Sequence, residues 1–384
     1  MKTKRKIISA ISITLAALMI ISFAVFTSTA IVEVKDGDFS YVSNTGGTFA
    51  LYRYYGSETS IELPDEVFDT KVTAVYNGAF ENSNLISVTI PEDYTSIGEN
   101  AFFGCKSLTA VSLPSSLTKI GNSAFSGCSA LTAADIPNNS ALTEIGYAAF
   151  SGDENLSAFS LPAGLKTINS NAFANTGITE ANVPDSVTSF GEGVFIGCSS
   201  LESAALPKDI TEIPQKTFMD CTSLSSIDIP KKVVAIGDSA FYNCSSLSNV
   251  EFSMALETIG NSAFENAYSL TELFISDSVT SIGAYAFYPM SIEKTLTVTC
   301  FKHSYAAEYC YENLVKYEGV ELGDVNLDGS VDILDVALIQ QYKIGGYDIS
   351  SEIEKQVSDV NRNGSITIRD ATLIQMKLAR IIDF

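Results

Sequence analysis

The sequence predicts an α/β solenoid of about ten coils of ~23 residues, each one strand plus a short helical turn, followed by a small all-α domain of duplicated loop–helix motifs. Three observations carry this. One phenylalanine recurs at near-constant spacing, at Phe80, Phe102, Phe125, Phe150, Phe173, Phe195, Phe218, Phe241, Phe264 and Phe287. A strand-like segment of the form L-x-x-V-x-L-P runs in phase with it, as in Leu108 to Pro114. Near the C-terminus, DVNLDGSVDILD starting at Asp324 returns as DVNRNGSITIRD starting at Asp359.

Taken in order, residues 1–30 read as a secretory signal. Lys2, Lys4, Arg5 and Lys6 precede an apolar run from Ile7 to Phe26, and Thr27-Ser28-Thr29-Ala30 supplies small residues for cleavage. The run is long enough to span a bilayer, so a membrane enters only if the segment stays uncleaved. The expected location is extracellular, in an assembly or at the cell surface. The chain carries 45 acids against 23 basic residues, a net charge of −22, and removal of the signal takes away only positive charge. Such acidity argues against nucleic acid as a partner. Residues 31–60 are expected to cap the first coil.

Residues 61–300 form the solenoid. Pro64, Pro91, Pro114, Pro137, Pro162, Pro184, Pro207 and Pro230 share one column, where each strand leaves its sheet, because proline cannot donate to a ladder. After each strand comes I-G-x-x-A-F. The glycine column also holds Asn169 and Pro214. Proline cannot take positive φ, so the column does not demand a left-handed residue, and Gly, Asn and Pro suit a helix start. A short helical turn carrying the Ala-Phe pair inward is therefore expected. No coil buries its face alone, so both ends need caps. Residues 301–320 supply the second cap, with a helix from His303 to Leu314, and a linker. The wording L-P-x-S-L-T-x-I-G-x-x-A-F and G-C-x-S-L resembles the BspA-type leucine-rich repeat of bacterial surface proteins, from about Phe39 to Val320.

Seven cysteines suggest a disulfide framework, but register says otherwise. Cys105, Cys128, Cys198, Cys221 and Cys244 each follow the marker Phe by three residues, and Asp153 and Thr176 take the same column elsewhere. A stacked ladder of small buried residues explains this more simply. Cys300 and Cys310 lie outside the ladder and are the pair best placed for a disulfide. Catalytic chemistry has little to stand on: His303 is the single histidine, and no GxSxG, HExxH or phosphate-binding loop occurs. The strand face offers small residues that turn acidic toward later coils. Asp135, Asp228, Glu251, Glu272 and Phe274 are its candidate ligand contacts. With few aromatic platforms, it favours an unidentified protein or cell-surface ligand over a glycan.

The C-terminal segment, residues 321–384, carries the metal chemistry. Each twelve-residue motif places oxygen-bearing residues at loop positions 1, 3, 5, 9 and 12, with glycine at 6, and calcium takes six to eight oxygens around such a turn. The first set is Asp324, Asn326, Asp328, the Ser330 carbonyl, Asp332 and Asp335; the second is Asp359, Asn361, Asn363, the Ser365 carbonyl, Thr367 and Asp370. Two calcium ions are expected, the second held more weakly because its loop has fewer carboxylates. Position 12 is Asp where the EF-hand has Glu, and no helix leads into the first loop. Ser351-Glu352-Ile353-Glu354 has capping-box spacing for a short connecting helix.

A duplicated loop–helix pair of this kind resembles the type I dockerin domain, from Gly323 to about Phe384. The resemblance implies a cohesin module of a scaffolding protein as partner, in a cellulosome-like polysaccharide-degrading complex. It places partner contacts at Ile333, Leu334, Gln340 and Gln341 in the first half and at Ile368, Arg369, Gln375 and Met376 in the second. Leu334 and Arg369 differ in kind, so the two faces are not equivalent. The function expected is that of a secreted, non-catalytic interaction protein. An accessory or unrecognised hydrolase in polysaccharide catabolism is the alternative, with a protease inhibitor or structural spacer behind it.

Overall fold

Each coil is held by the identity of its buried column. In the strands Ser87–Thr89, Ala110–Ser112 and Ala133–Asp135 the middle residues Val88, Val111 and Ala134 point inward and pair in parallel register. The marker rings stack one coil on the next: centroids lie 4.9 Å apart for Phe80–Phe102 and 5.0 Å for Phe102–Phe125, with planes within 3°. Such pairs add about 0.5–1.5 kcal/mol each beyond their buried area. The computed structural model describes residues 31–137, 139–290 and 295–383, so the expected signal at residues 1–30 lies outside the described residues. They fall into two compact units, one ending at Cys198 and one starting at Ser199. The fold is a β-solenoid of about 12 turns between residues 49 and 320, followed by a small helical region. No helix among the described residues is long and apolar enough to cross a membrane.

The coils differ from expectation in one respect. In most coils a second, two-residue strand lies just ahead of the glycine, as at Ser96–Ile97, Lys119–Ile120 and Glu144–Ile145, paired in parallel with its neighbours, and the residues after the glycine that carry the Ala-Phe pair form turns. The Ile is buried and the glycine after it packs against the previous coil: a Cβ on Gly121 would lie 2.6 Å from the Gly98 carbonyl carbon. Two left-handed residues then bracket the Ala-Phe pair, Asn100 and Gly104 around Phe102, Asn171 and Asn175 around Phe173. Left-handed backbone at both places breaks a helix.

In the first unit, strands β1 (Val34–Asp36), β2 (Phe39–Ser43) and β3 (Phe49–Tyr54) form an antiparallel cap, and β3 runs parallel to Thr70–Val75. In this unit Cys105, Cys128 and Cys198 of the cysteine column are buried and form no disulfide. Cys105 donates to the Phe80 carbonyl at 3.0 Å and Cys128 to that of Phe102 at 3.1 Å, so each thiol ties its coil to the one before. Cys198 repeats this on Phe173, and burial pushes it up to about 11.

In the second unit the coils end in helix α1 (Tyr305–Glu312), capped by Ser304 rather than His303, which is exposed. Cys300 and Cys310 are buried and free, and burial pushes them up to about 11 and 12. The stretch expected as a linker is a final strand, Lys316–Val320, in register with Thr297–Phe301. Three helices follow: α2 (Ile333–Lys343), α3 (Glu352–Ser358) and α4 (Ile368–Leu378).

Candidate metal loops and docking surface

The two loops share one backbone course. Position 4 is left-handed in both, φ 57° at Leu327 and 56° at Arg362, and the glycines at position 6 have φ 90° and 81°. The halves pack through matched apolar residues: Val325, Val336 and Ile339 of the first meet Val360, Ala371 and Ile374 of the second, with Ile349 between. Position 9 is the N-cap of the next helix in each half, Asp332 for α2 and Thr367 for α4, and position 12 completes a capping box. Ser351 and Glu354 form the capping box of α3.

Hydrogen bonds wrap each loop on its own acids. Asp324 accepts from the amides of Asp328 at 3.1 Å and Gly329 at 2.9 Å, and Asp359 accepts from Asn363 at 3.2 Å and Gly364 at 2.7 Å. Asp328 accepts from Ser330, and Asn363 Oδ1 from Ser365. Asp335 accepts from Val325 at 2.7 Å and Asp332 at 2.7 Å, and Asp370 from Asn361 at 3.1 Å and Thr367 at 2.8 Å. Asp324, Asp335 and Asp370 are buried. Burial, and then neighbouring acids, push Asp324 and Asp335 above the ordinary carboxylate range. Among the described residues no three Asp, Glu, His or Cys side chains form a metal-holding group by themselves. The loops rely on Asn and carbonyl oxygens as well. An all-oxygen donor set, with buried acids repelling one another around a glycine turn, suits a hard divalent cation such as calcium.

The residues assigned to partner contact lie mostly in the open. Ile333 is 61% exposed, Leu334 57% and Ile368 51%. Gln340, Gln341, Arg369 and Gln375 are exposed, and Met376 is half-buried. On the coils, Asp228, Glu251 and Glu272 are exposed on the strand face, and Asp135 ends its strand. Phe274 is different. It packs into a cluster of Phe301, Val320, Leu322 and Val357, joined by Ile353, so α3 closes over the end of that face. Gly323 donates to the Val357 carbonyl at 2.8 Å, and Glu321 accepts from Lys302 at 3.2 Å and Lys377 at 3.1 Å. Sequence reasoning missed this packing.

A β-solenoid followed by duplicated metal-type loops defines a chain built for protein interaction. The chain belongs to the BspA-type leucine-rich-repeat family, whose model matches residues 73–202 and 191–318. Residues 322–379 match the dockerin type I domain. Neither is a catalytic family, and dockerins in general bind calcium and cohesins. Both kinds of domain are typical of extracellular or cell-surface bacterial proteins. Among solved structures, the pneumococcal vaccine antigen PcpA is 19% identical, covering 76% of this chain and all of that one, with a TM-score of 0.50. A leucine-rich cell surface protein of Faecalibacterium prausnitzii is 25% identical, covering 80% of this chain and 99% of that one, with a TM-score of 0.45. These are likenesses of fold. No curated protein matches the chain.

Proposed function

We propose that this chain is a secreted, non-catalytic interaction protein whose dockerin binds two calcium ions and docks onto a cohesin of a scaffolding protein in a polysaccharide-degrading complex. The repeats bind a protein or cell-surface ligand. The observation that carries the reading is the duplicated loop with its buried acids, Asp324 and Asp335 in the first and Asp370 in the second. When bound, calcium would supply the positive charge that these carboxylates lack. Asp324, Asn326, Asp328, Asp335 and the Ser330 carbonyl would hold one ion, with Asp332 nearby, and the second loop's Asp359, Asn361, Asn363, Thr367, Asp370 and the Ser365 carbonyl the other.

A calorimetric calcium titration, with binding to immobilised type I cohesins measured in calcium and in chelator, tests the reading. Two sites and chelator-sensitive docking are expected. Loop 1 holds four carboxylates and loop 2 two, so Asp324→Ala should weaken calcium binding roughly tenfold or more and Asn363→Ala less. No calcium uptake, with docking unchanged in chelator, would sink the metal assignment.

A further inference from the structure

Three columns on the turns of the second unit change to tyrosine in its last coils. Four residues after the marker phenylalanine stand Ser199, Thr222 and Ser245, then Tyr268. Two residues before it stand Lys216, Ser239 and Ser262, then Tyr285, and just after it Met219, Tyr242 and Glu265, then Tyr288. The three rings share one surface. The Tyr268 hydroxyl donates to Asn266 Oδ1 at 2.9 Å, the Asn266 amide donates to the Tyr288 carbonyl at 2.9 Å, and the Tyr288 ring lies 5.7 Å from that of Tyr285. Tyr285 is 62% exposed, Tyr268 44% and Tyr288 40%. The column of Tyr285 is left-handed throughout, φ 54° at Ser239, 52° at Ser262 and 60° at Tyr285, a backbone that a bulky ring rarely adopts. Strain of this kind collects at functional sites.

We propose that the turns of the last coils bind a basic segment of a protein partner, its arginine or lysine side chains seated on Tyr268, Tyr285 and Tyr288 and paired with Glu265 and Asp238. The proposal rests on the reading that the repeats bind a protein, and it adds the surface and the partner's chemistry. Charge selects this occupant. From residue 233 to residue 293 the chain has no lysine, arginine or histidine. Glu265 precedes Tyr288 in its column by one coil. On the other side Asp238 is exposed and accepts from the Asn261 amide at 2.7 Å, and Asn261 Oδ1 accepts from the Ala284 amide beside Tyr285 at 3.0 Å. In the first unit the chain covers tyrosine rings with its own cations, Lys35 4.2 Å above Tyr55 and Arg53 5.3 Å above Tyr52. The exposed rings of the last coils have acids beside them and no such cation among the described residues, so a partner's cation fits there. A neutral sugar would use the rings and gain nothing from the acids.

The test is fluorescence anisotropy of residues 31–384 in calcium with a labelled peptide of alternating arginine and serine. A second peptide carries citrulline, which keeps the planar side chain and loses its charge. The arginine peptide should bind, weaken as salt rises, and bind about tenfold or more tighter than the citrulline peptide. Tyr285→Ser with Tyr288→Ser changes no charge and introduces a residue that other coils carry in these columns, as at Ser262 and Ser126. It should weaken the arginine peptide about tenfold and unfold at no lower urea concentration than the parent. Tyr285→Phe with Tyr288→Phe keeps the rings and should stay within about twofold. Undiminished binding by the serine variant overturns the proposal. A phenylalanine variant as weak as the serine one does so too, since the hydroxyls would then carry recognition. Greater loss in Glu251→Gln with Glu272→Gln than in the serine variant moves the ligand to the strand face, which sinks this proposal and leaves the protein reading standing. An arginine peptide that does not bind, or binds no tighter than citrulline, also sinks it. Displacement of the bound peptide by a soluble neutral glucan removes the protein reading as well.

Discussion

Asp153 places a carboxyl where most coils of the ladder place a thiol, and it is fully buried. One oxygen accepts from the Cys128 amide at 2.8 Å; the other, Oδ2, is buried without a hydrogen-bond partner. Burial pushes the group from 3.8 up to about 9. Folding therefore favours the protonated form. The cost of ionisation is absent below pH 3.8, grows as pH rises and is complete above about 9. At pH 7 it is on the order of 4 kcal/mol, a large share of a domain's net stability. Asp153→Cys, which restores the ladder residue, should raise the urea midpoint at pH 7 and flatten its fall between pH 5 and 9. A parent and variant with parallel pH profiles would show that the carboxyl is solvated after all.

At the scale of the element, the glycine column decides what each coil is. The marker phenylalanines, the proline column and the cysteine ladder were legible because burial repeats them once per coil. The second strand was not, since two residues are too few to show alternation. In sequence Gly121 reads as a helix start, since Pro214 in the same column sets a left-handed turn aside. Packing shows what sequence could not, a close approach, with a Cβ falling 2.6 Å from the previous coil's backbone. Gly164 has nothing nearer than 3.9 Å. Gly121→Ala should then cost about 1–3 kcal/mol by overpacking, while Gly164→Ala stays within about 0.5 kcal/mol. Thermal unfolding of the two variants side by side checks this; equal midpoints would mean that the coils spread freely.

At the scale of the molecule, the course of the two acidic loops was legible residue by residue, because each loop is local and its pattern is repeated. The packing of the second unit was not. Phe274 and Val357 lie far apart in sequence, and nothing local in either announces the other. In the fold they share one cluster with Phe301, Val320 and Leu322, and the run from the last strand into the first loop leaves no free linker. The dockerin is therefore part of the wall that closes the last coils. Calcium that orders the loops on either side of α3 should also protect the strands beneath it. Hydrogen exchange in chelator should speed up in Thr297–Phe301 and Lys316–Val320 as well as in α2 and α4, and stay unchanged in β2 and β3. Val357→Ala, at a fully buried position, should reproduce the strand effect with calcium present, at a cost of about 1–3 kcal/mol. Exchange that rises only beyond residue 323, with the two strands untouched in both experiments, would make the dockerin an independent handle.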